Sequence, residues 1–113
     1  MRNHDYIPGR GDIVWLNFNP QAGHEQAGKR PAVVISPKSY NAKVGLALFQ
    51  PITKIKKGYP FEVELPMGLP VSGVILSDQI KSLDWITRNI TFICRLPLNY
   101  IKESIGKLTA LLE

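Results

Sequence analysis

Nine glycines and nine prolines punctuate the chain, nearly all at short intervals before residue 74. Inside a helix glycine costs about 1 kcal/mol relative to alanine, and proline about 3. The first two thirds must therefore fold as short extended segments joined by turns. Asp12 to Phe18 reads as a strand opened by Pro8-Gly9-Arg10-Gly11. Ile13, Val14, Trp15 and Leu16 make it apolar on both faces, which predicts a central strand with Trp15 in the core. Residues 19–30 form a long polar loop with two glycines and a proline, and loops of that length usually serve function. Ala32 to Ser36 is a second strand, and Lys38 to Lys43 a short helical turn. Leu46 to Thr53 is a third strand, interrupted by Pro51. Lys54 to Pro60 is a basic loop. Phe61 to Leu65 alternates, which sets Glu62 and Glu64 in water. A turn at Pro66 to Pro70 leads into Gly73 to Leu83, one long strand or a strand with a bulge. In Ile90 to Leu96, Phe92, Cys94 and Leu96 share a face. The period then changes: Leu98, Ile101, Ile105, Leu108, Leu111 and Leu112 fall at helical spacing, with Pro97 suited to the first turn. Gly106 weakens that helix, which needs tertiary support. The expected class is mostly β with a C-terminal helix: a small, strongly bent antiparallel barrel with the helix against it.

The 113 residues fit a single domain, 1–113. Apolar residues are 44% and charged residues 20%, which excludes disorder. No apolar run approaches the roughly 20 residues of a membrane helix, and the charged N-terminus has no apolar segment behind it. One cysteine, Cys94, excludes an internal disulfide; with two histidines, it also argues against structural zinc. A cytoplasmic, metal-free protein is expected.

The net charge of +5 is concentrated. Residues 26–61 carry seven basic side chains (Lys29, Arg30, Lys38, Lys43, Lys54, Lys56, Lys57) and no acid, whereas the segments on either side are each slightly acidic. This asymmetry favours a polyanionic partner, nucleic acid or an acidic peptide.

Five stretches then fall in order: Gly11-Asp12-Ile13-Val14-Trp15; Gly23-His24-Glu25-Gln26-Ala27-Gly28-Lys29-Arg30-Pro31 running into a strand; Pro51-Ile52-Thr53; Gly58-Tyr59-Pro60-Phe61-Glu62-Val63; and Ser77-Asp78-Gln79-Ile80-Lys81-Ser82. Together they resemble the MazF/PemK (Kid) family of toxin–antitoxin endoribonucleases over nearly the whole chain. The resemblance implies an SH3-like barrel that works as a homodimer. It implies sequence-specific, metal-independent cleavage of single-stranded RNA such as mRNA, without cofactor, leaving a 2′,3′-cyclic phosphate and a 5′-hydroxyl. It also implies a cognate antitoxin, whose acidic and apolar segment should fill the RNA groove formed by loops 19–30 and 54–60.

Such cleavage needs a base for the 2′-hydroxyl, an acid for the leaving 5′-oxygen, and donors to the phosphoryl oxygens. The resemblance makes Arg30 central and sets Thr53 beside it. A guanidinium grips phosphate bidentately, and with a pKa above about 12 it suits charge stabilisation better than proton removal. The Thr53 hydroxyl can donate to a phosphoryl oxygen. Glu25 matches a glutamate near the site, a base or the group that orients the arginine; the alternative is a solvated loop carboxylate or one paired with Lys29 or Arg30. His24 titrates near neutral pH and could serve as acid or base, against an exposed loop histidine. Lys29, Lys54, Lys56 and Lys57 are candidates for the RNA backbone. Gln79 and Lys81, opposite Val74 and Leu76 on their strand, are further RNA-binding candidates, with Asp78 as a candidate partner of Lys81; Trp15 and Trp85 could stack on bases, although an apolar strand favours Trp15 as core. The rival reading is a non-catalytic protein on a similar fold: a gyrase-binding toxin of the CcdB type, or a nucleic-acid adaptor. The CcdB mode uses a C-terminal tryptophan, whereas this chain ends Ala110-Leu111-Leu112-Glu113.

Overall fold

The structure, a computed structural model, describes residues 6–19, residue 23 and residues 28–113. It contains β1 (Asp12–Asn17), β2 (Lys29–Val34), α1 (Lys38–Val44), β3 (Leu46–Thr53), β4 (Glu62–Glu64), β5 (Val74–Leu76), β6 (Lys81–Asp84), β7 (Thr91–Arg95) and α2 (Leu98–Ala110). Every strand pair is antiparallel. The order is β4-β5-β3-β2-β1-β7, with β6 also on β3. The expected class holds, but the sheet does not close into a barrel: among the described residues β4 and β7 each have one neighbour.

Strand alternation gives the sheet two apolar faces. Ile13, Val33, Ile52 and Ile75 form one core with Ile101 of α2. Val14, Leu16, Ala32, Val34 and Phe49 form the other with Trp85. Each fully buried aliphatic or aromatic side chain stabilises the fold by about 1.5–3 kcal/mol relative to exposure, so these two clusters carry most of the stability.

The core tryptophan is not the expected one. Trp85 is buried and its Nε1 donates to the Asn41 carbonyl at 3.0 Å. Trp15 is 45% exposed; it lies where β1 pairs with Pro31 and forms one wall of an open cleft with Ile52, Lys54 and residues 70–72.

Pro51 does not interrupt β3. It pairs with Ala32 on one side and, on the other, falls where β3 passes from β6 to β5. A residue without an N–H is tolerated at such a changeover. The segment Gly73 to Leu83, expected as one long strand or a strand with a bulge, is instead two short strands, β5 and β6. β5 and β6 lie along the same edge of β3, and residues 77–80 leave the edge between them.

A bulge lies in β7, where Cys94 opposes Ile13 but Phe92 opposes Val14, leaving Ile93 as the extra residue. The bulge sets Phe92 on the Val14 side of the sheet, its ring centroid 5.7 Å from that of Tyr6, so it does not share a face with buried Leu96. At α2, Pro97 is the N-cap rather than a first-turn residue. Ile101 and Ser104 are its buried positions, whereas Leu98, Leu111 and Leu112 are exposed.

Candidate active site

Arg30 and Thr53 lie at the same end of adjacent strands. The β2–β3 ladder runs Val34↔Phe49, Val33↔Gln50, Ala32↔Pro51, and Arg30 and Thr53 each sit two residues beyond its last pair. Opposed residues share a face and alternate residues return to it. Arg30, Ala32, Pro51 and Thr53 therefore occupy one face, that of Leu16, the partner of Arg30 in β1. Thr53 is 7% exposed, and its Oγ1 accepts the Ile55 N–H at 3.3 Å. That acceptor role leaves the hydroxyl proton free to donate elsewhere. Gly73 is required beside it: a Cβ there would stand 2.2 Å from the Thr53 carbonyl oxygen, and its φ is +123°.

Lys81 opposes Phe49 and so belongs to the same face, set back about 13 Å along β3 at 3.3 Å per residue. Gln79 lies in the excursion that precedes it, its N–H donating to Leu76 O at 3.2 Å. Asp78 Oδ1 accepts the Tyr59 hydroxyl at 2.5 Å. Burial first, then this bond and the Asp78 charge, push the Tyr59 phenol up to about 12.

The basic loop is partly neutralised. Lys56 Nζ pairs with Glu64 Oε1 at 2.9 Å, and the carboxylate raises the lysine pKa. Glu62 is not simply in water; it accepts the backbone N–H groups of Lys57 and Gly58, both at 2.9 Å. Lys107 of α2 donates to Pro60 O at 2.6 Å and Glu62 O at 3.1 Å. Lys29 and Lys54 are exposed. Lys38 and Lys43 sit on α1, which joins the opposite ends of β2 and β3. The basic third of the chain thus divides, with Lys29, Arg30, Lys54, Lys56 and Lys57 on the Thr53 side.

His24 and Glu25 lie outside the described residues. The base of their loop is described: Phe18 N–H donates to Gly28 O at 2.9 Å and Gly28 N–H to Asn19 Oδ1 at 3.0 Å. Arg88, remote in sequence, donates to Asn17 O at 2.6 Å and Asn19 O at 2.9 Å. No spacing or composition signal marks Arg88 for this role, nor Tyr59 for Asp78. Among the described residues, no group of three or more His, Cys, Asp or Glu side chains could hold a metal ion.

The arrangement offers a guanidinium, a hydroxyl and several ammonium groups along one sheet end, a surface suited to a phosphodiester. Known proteins resemble the chain as a whole. The chain is 52% identical to the endoribonuclease toxin MazF of Escherichia coli K12 over 86 residues, 76% of this chain and 77% of that protein. It is 31% identical to the endoribonuclease PemK of E. coli, over 91% of this chain and 80% of that protein. The crystal structure of MazF from Deinococcus radiodurans superposes with a TM-score of 0.93 at 53% identity, covering 96% of this chain and 98% of that one. A MazE–MazF complex from the same organism superposes at 0.84 with 46% identity, covering 96% and 97%. The sequence model of one family matches residues 9–112, and the chain accordingly belongs to the PemK-like, MazF-like toxins of type II toxin–antitoxin systems.

Proposed function

We propose that this protein is a toxin endoribonuclease that cuts single-stranded RNA by attack of the substrate's own 2′-hydroxyl. The observation that carries the reading is the shared face and shared strand end of Arg30 and Thr53, in a chain whose relatives bear the name endoribonuclease. The 2′-oxygen bonds to phosphorus while its proton passes to a base, for which Glu25 and His24 are the candidates. The P–O5′ bond breaks, and the 5′-oxygen takes a proton as it leaves. Arg30 and Thr53 donate to the phosphoryl oxygens, whose negative charge grows in the transition state. The products are a 2′,3′-cyclic phosphate and a 5′-hydroxyl. Proximity favours this nucleophile, since the 2′-oxygen is already held close to the phosphorus. Lys29, Lys54, Gln79 and Lys81 bind the flanking strand. Lys56 and Lys57 contribute less, because Glu64 and Glu62 hold the loop that carries them.

The partner is an antitoxin like the MazE of the similar complexes, with an acidic, apolar segment on the same cationic surface. The toxin acts as a homodimer, for which exposed Phe92 on edge strand β7 and exposed Leu98, Leu111 and Leu112 offer apolar surface.

The test is cleavage of a defined oligoribonucleotide in EDTA, with end-group analysis. Cutting should persist and leave the cyclic phosphate. One 2′-deoxy substitution 5′ to the scissile phosphate should stop cutting there while the oligonucleotide still competes for binding. Cutting at the deoxy position, or magnesium-dependent rescue after EDTA, would overturn the mechanism. No cleavage by the folded, antitoxin-free protein would favour the CcdB-type or adaptor reading.

A further inference from the structure

The exposed Trp15 indole is one wall of a cleft of about 180 Å³ at the sheet end that carries Arg30 and Thr53. Pro31, Ile52 and Val71 supply further apolar walls, with Lys54 and Ser72 among the polar ones. Chain connectivity ties this cleft to the proposed reaction centre. Pro31 follows Arg30, and Ile52 and Lys54 flank Thr53. Trp15 itself opposes Pro31 in the β1–β2 ladder. By alternation, Trp15 and Pro31 lie on the opposite side of the sheet from Arg30, so the cleft opens around the strand end from the phosphate-binding residues.

An indole left 45% exposed in a strand whose other apolar residues are buried presents a flat apolar face that a bound group can cover. Its chemistry narrows the occupant. A cavity of about 150 Å³ with apolar walls takes one benzene ring, so this cleft suits a single flat ring system. An exposed indole face is a sequence-tolerant stacking platform. Lys54 at the rim supplies a cation for the phosphate attached to such a ring. Among the described residues Lys54 has no ion-pair partner, unlike Lys56.

We propose that the Trp15 cleft is a nucleobase subsite, in which the unpaired base of a nucleotide flanking the scissile phosphate stacks on the indole while Lys54 holds its phosphate. The subsite rests on the RNA-cleaving reading and extends it: the base is drawn around the strand end, which splays the strand and exposes the intervening phosphodiester to Arg30 and Thr53.

The experiment uses a single-stranded oligoribonucleotide made uncleavable by one 2′-deoxy substitution at the cut position. A second series carries an abasic nucleotide at each position in turn. Binding is measured for the wild-type protein and for Trp15→Ala, Trp15→Thr and Trp15→Phe. Threonine preserves strand propensity should alanine unfold β1. Loss of one stacked base is expected to weaken binding by about 5-fold to 150-fold, with Trp15→Phe retaining most of the affinity. At one position adjacent to the cut, the abasic substitution should weaken wild-type binding but add nothing to Trp15→Ala or Trp15→Thr. Independent effects at every position, or unchanged affinity in both variants, would overturn the subsite while leaving cleavage by Arg30 untouched. An effect confined to binding of an acidic, apolar antitoxin peptide would overturn it in favour of a protein-docking cleft. Failure of the wild-type protein to bind the oligonucleotide would remove the RNA reading and the subsite together.

Discussion

Ser104 of α2 donates its hydroxyl proton to Gln50 Oε1 of β3 in a site closed to solvent. Gln50 Nε2 in turn donates to Ser77 O at 3.0 Å, and the Ser77 and Ser104 hydroxyls lie 3.1 Å apart. Since the Ser104 proton is committed to Gln50, the Ser77 hydroxyl donates to Ser104 Oγ. The closed triangle fixes the first residue of the 77–80 excursion from inside, while Tyr59 holds Asp78 from outside. Ser104→Ala would leave Gln50 Oε1 without this donor, at about 1–3 kcal/mol. A thermal melt should fall by several degrees. If the triangle also positions Gln79, the KM for RNA should rise more than kcat falls, a split that a purely global loss of folded protein would not give.

Arg30→Ala should lower the single-turnover cleavage rate by at least about 10²-fold, the size of a lost charge-stabilising donor, with circular dichroism unchanged. Thr53→Val keeps the shape and β-branching of a buried residue and removes only the hydroxyl. Its rate should fall by less than that of Arg30→Ala. Near wild-type turnover in folded Arg30→Ala would take the guanidinium out of the reaction.

Gly73→Ala should be destabilising out of proportion to one methyl group. The new Cβ meets the Thr53 carbonyl oxygen at 2.2 Å, and φ is +123°, so both strain and collision act. A loss of more than about 1 kcal/mol is expected in urea unfolding, together with reduced cleavage because the displaced backbone carries Thr53. A melt equal to wild type would show that β3 and β5 separate more readily here than their pairing suggests.

Salt dependence should sort the lysines. Removing one ammonium that binds a phosphate lowers the slope of log K against log salt by about 1. Lys54→Ala should do so, and Lys56→Ala should do less because Glu64 already holds its ammonium at 2.9 Å. Glu64→Gln should release Lys56 and tighten RNA binding at low salt. Equal slopes for Lys54→Ala and Lys56→Ala would mean that RNA strips the ion pair.

The Tyr59 phenol, pushed up to about 12 by burial and Asp78, keeps its proton in the folded state after the unfolded chain has lost it near pH 10. Its contribution is complete below pH 10 and declines as pH rises towards 12. Tyr59→Phe should therefore flatten the alkaline fall in stability between those values. It should also remove one late-titrating phenol from an ultraviolet titration.

Much of this was legible from local signals. Leu46 to Thr53 was read to the residue because turn residues bound it, and the change to helical period located α2. The readings that shifted depended on neighbours remote in sequence. Trp15 looked like core because apolar residues surround it in sequence, yet cover on its face ends beside Pro31. Phe92 and Leu96 were separated by a bulge whose partner register lies in β1. Glu62 turned from solvent to the Lys57 and Gly58 amides because the basic loop folds back over β4. Ser104 interrupts an apolar helix stripe, and only its hydrogen bond to Gln50 explains why a polar residue sits there. Arg30 and Thr53 came from the resemblance, and their common face required the register of β2 against β3.

The clasp at Asn19, Gly28 and Arg88 bears on how such a toxin can diversify. Length changes between Asn19 and Gly28 leave the tie at the two ends of that segment in place, since its bonds are made by Phe18, Asn19, Gly28 and Arg88. Loop-closure entropy grows slowly, about 0.6 kcal/mol for each doubling of length. A descendant could therefore vary this segment between Asn19 and Gly28, and with it the RNA or antitoxin it prefers, while inheriting the Arg30–Thr53 strand end, provided a proton-accepting side chain is kept in the role proposed for Glu25 or His24.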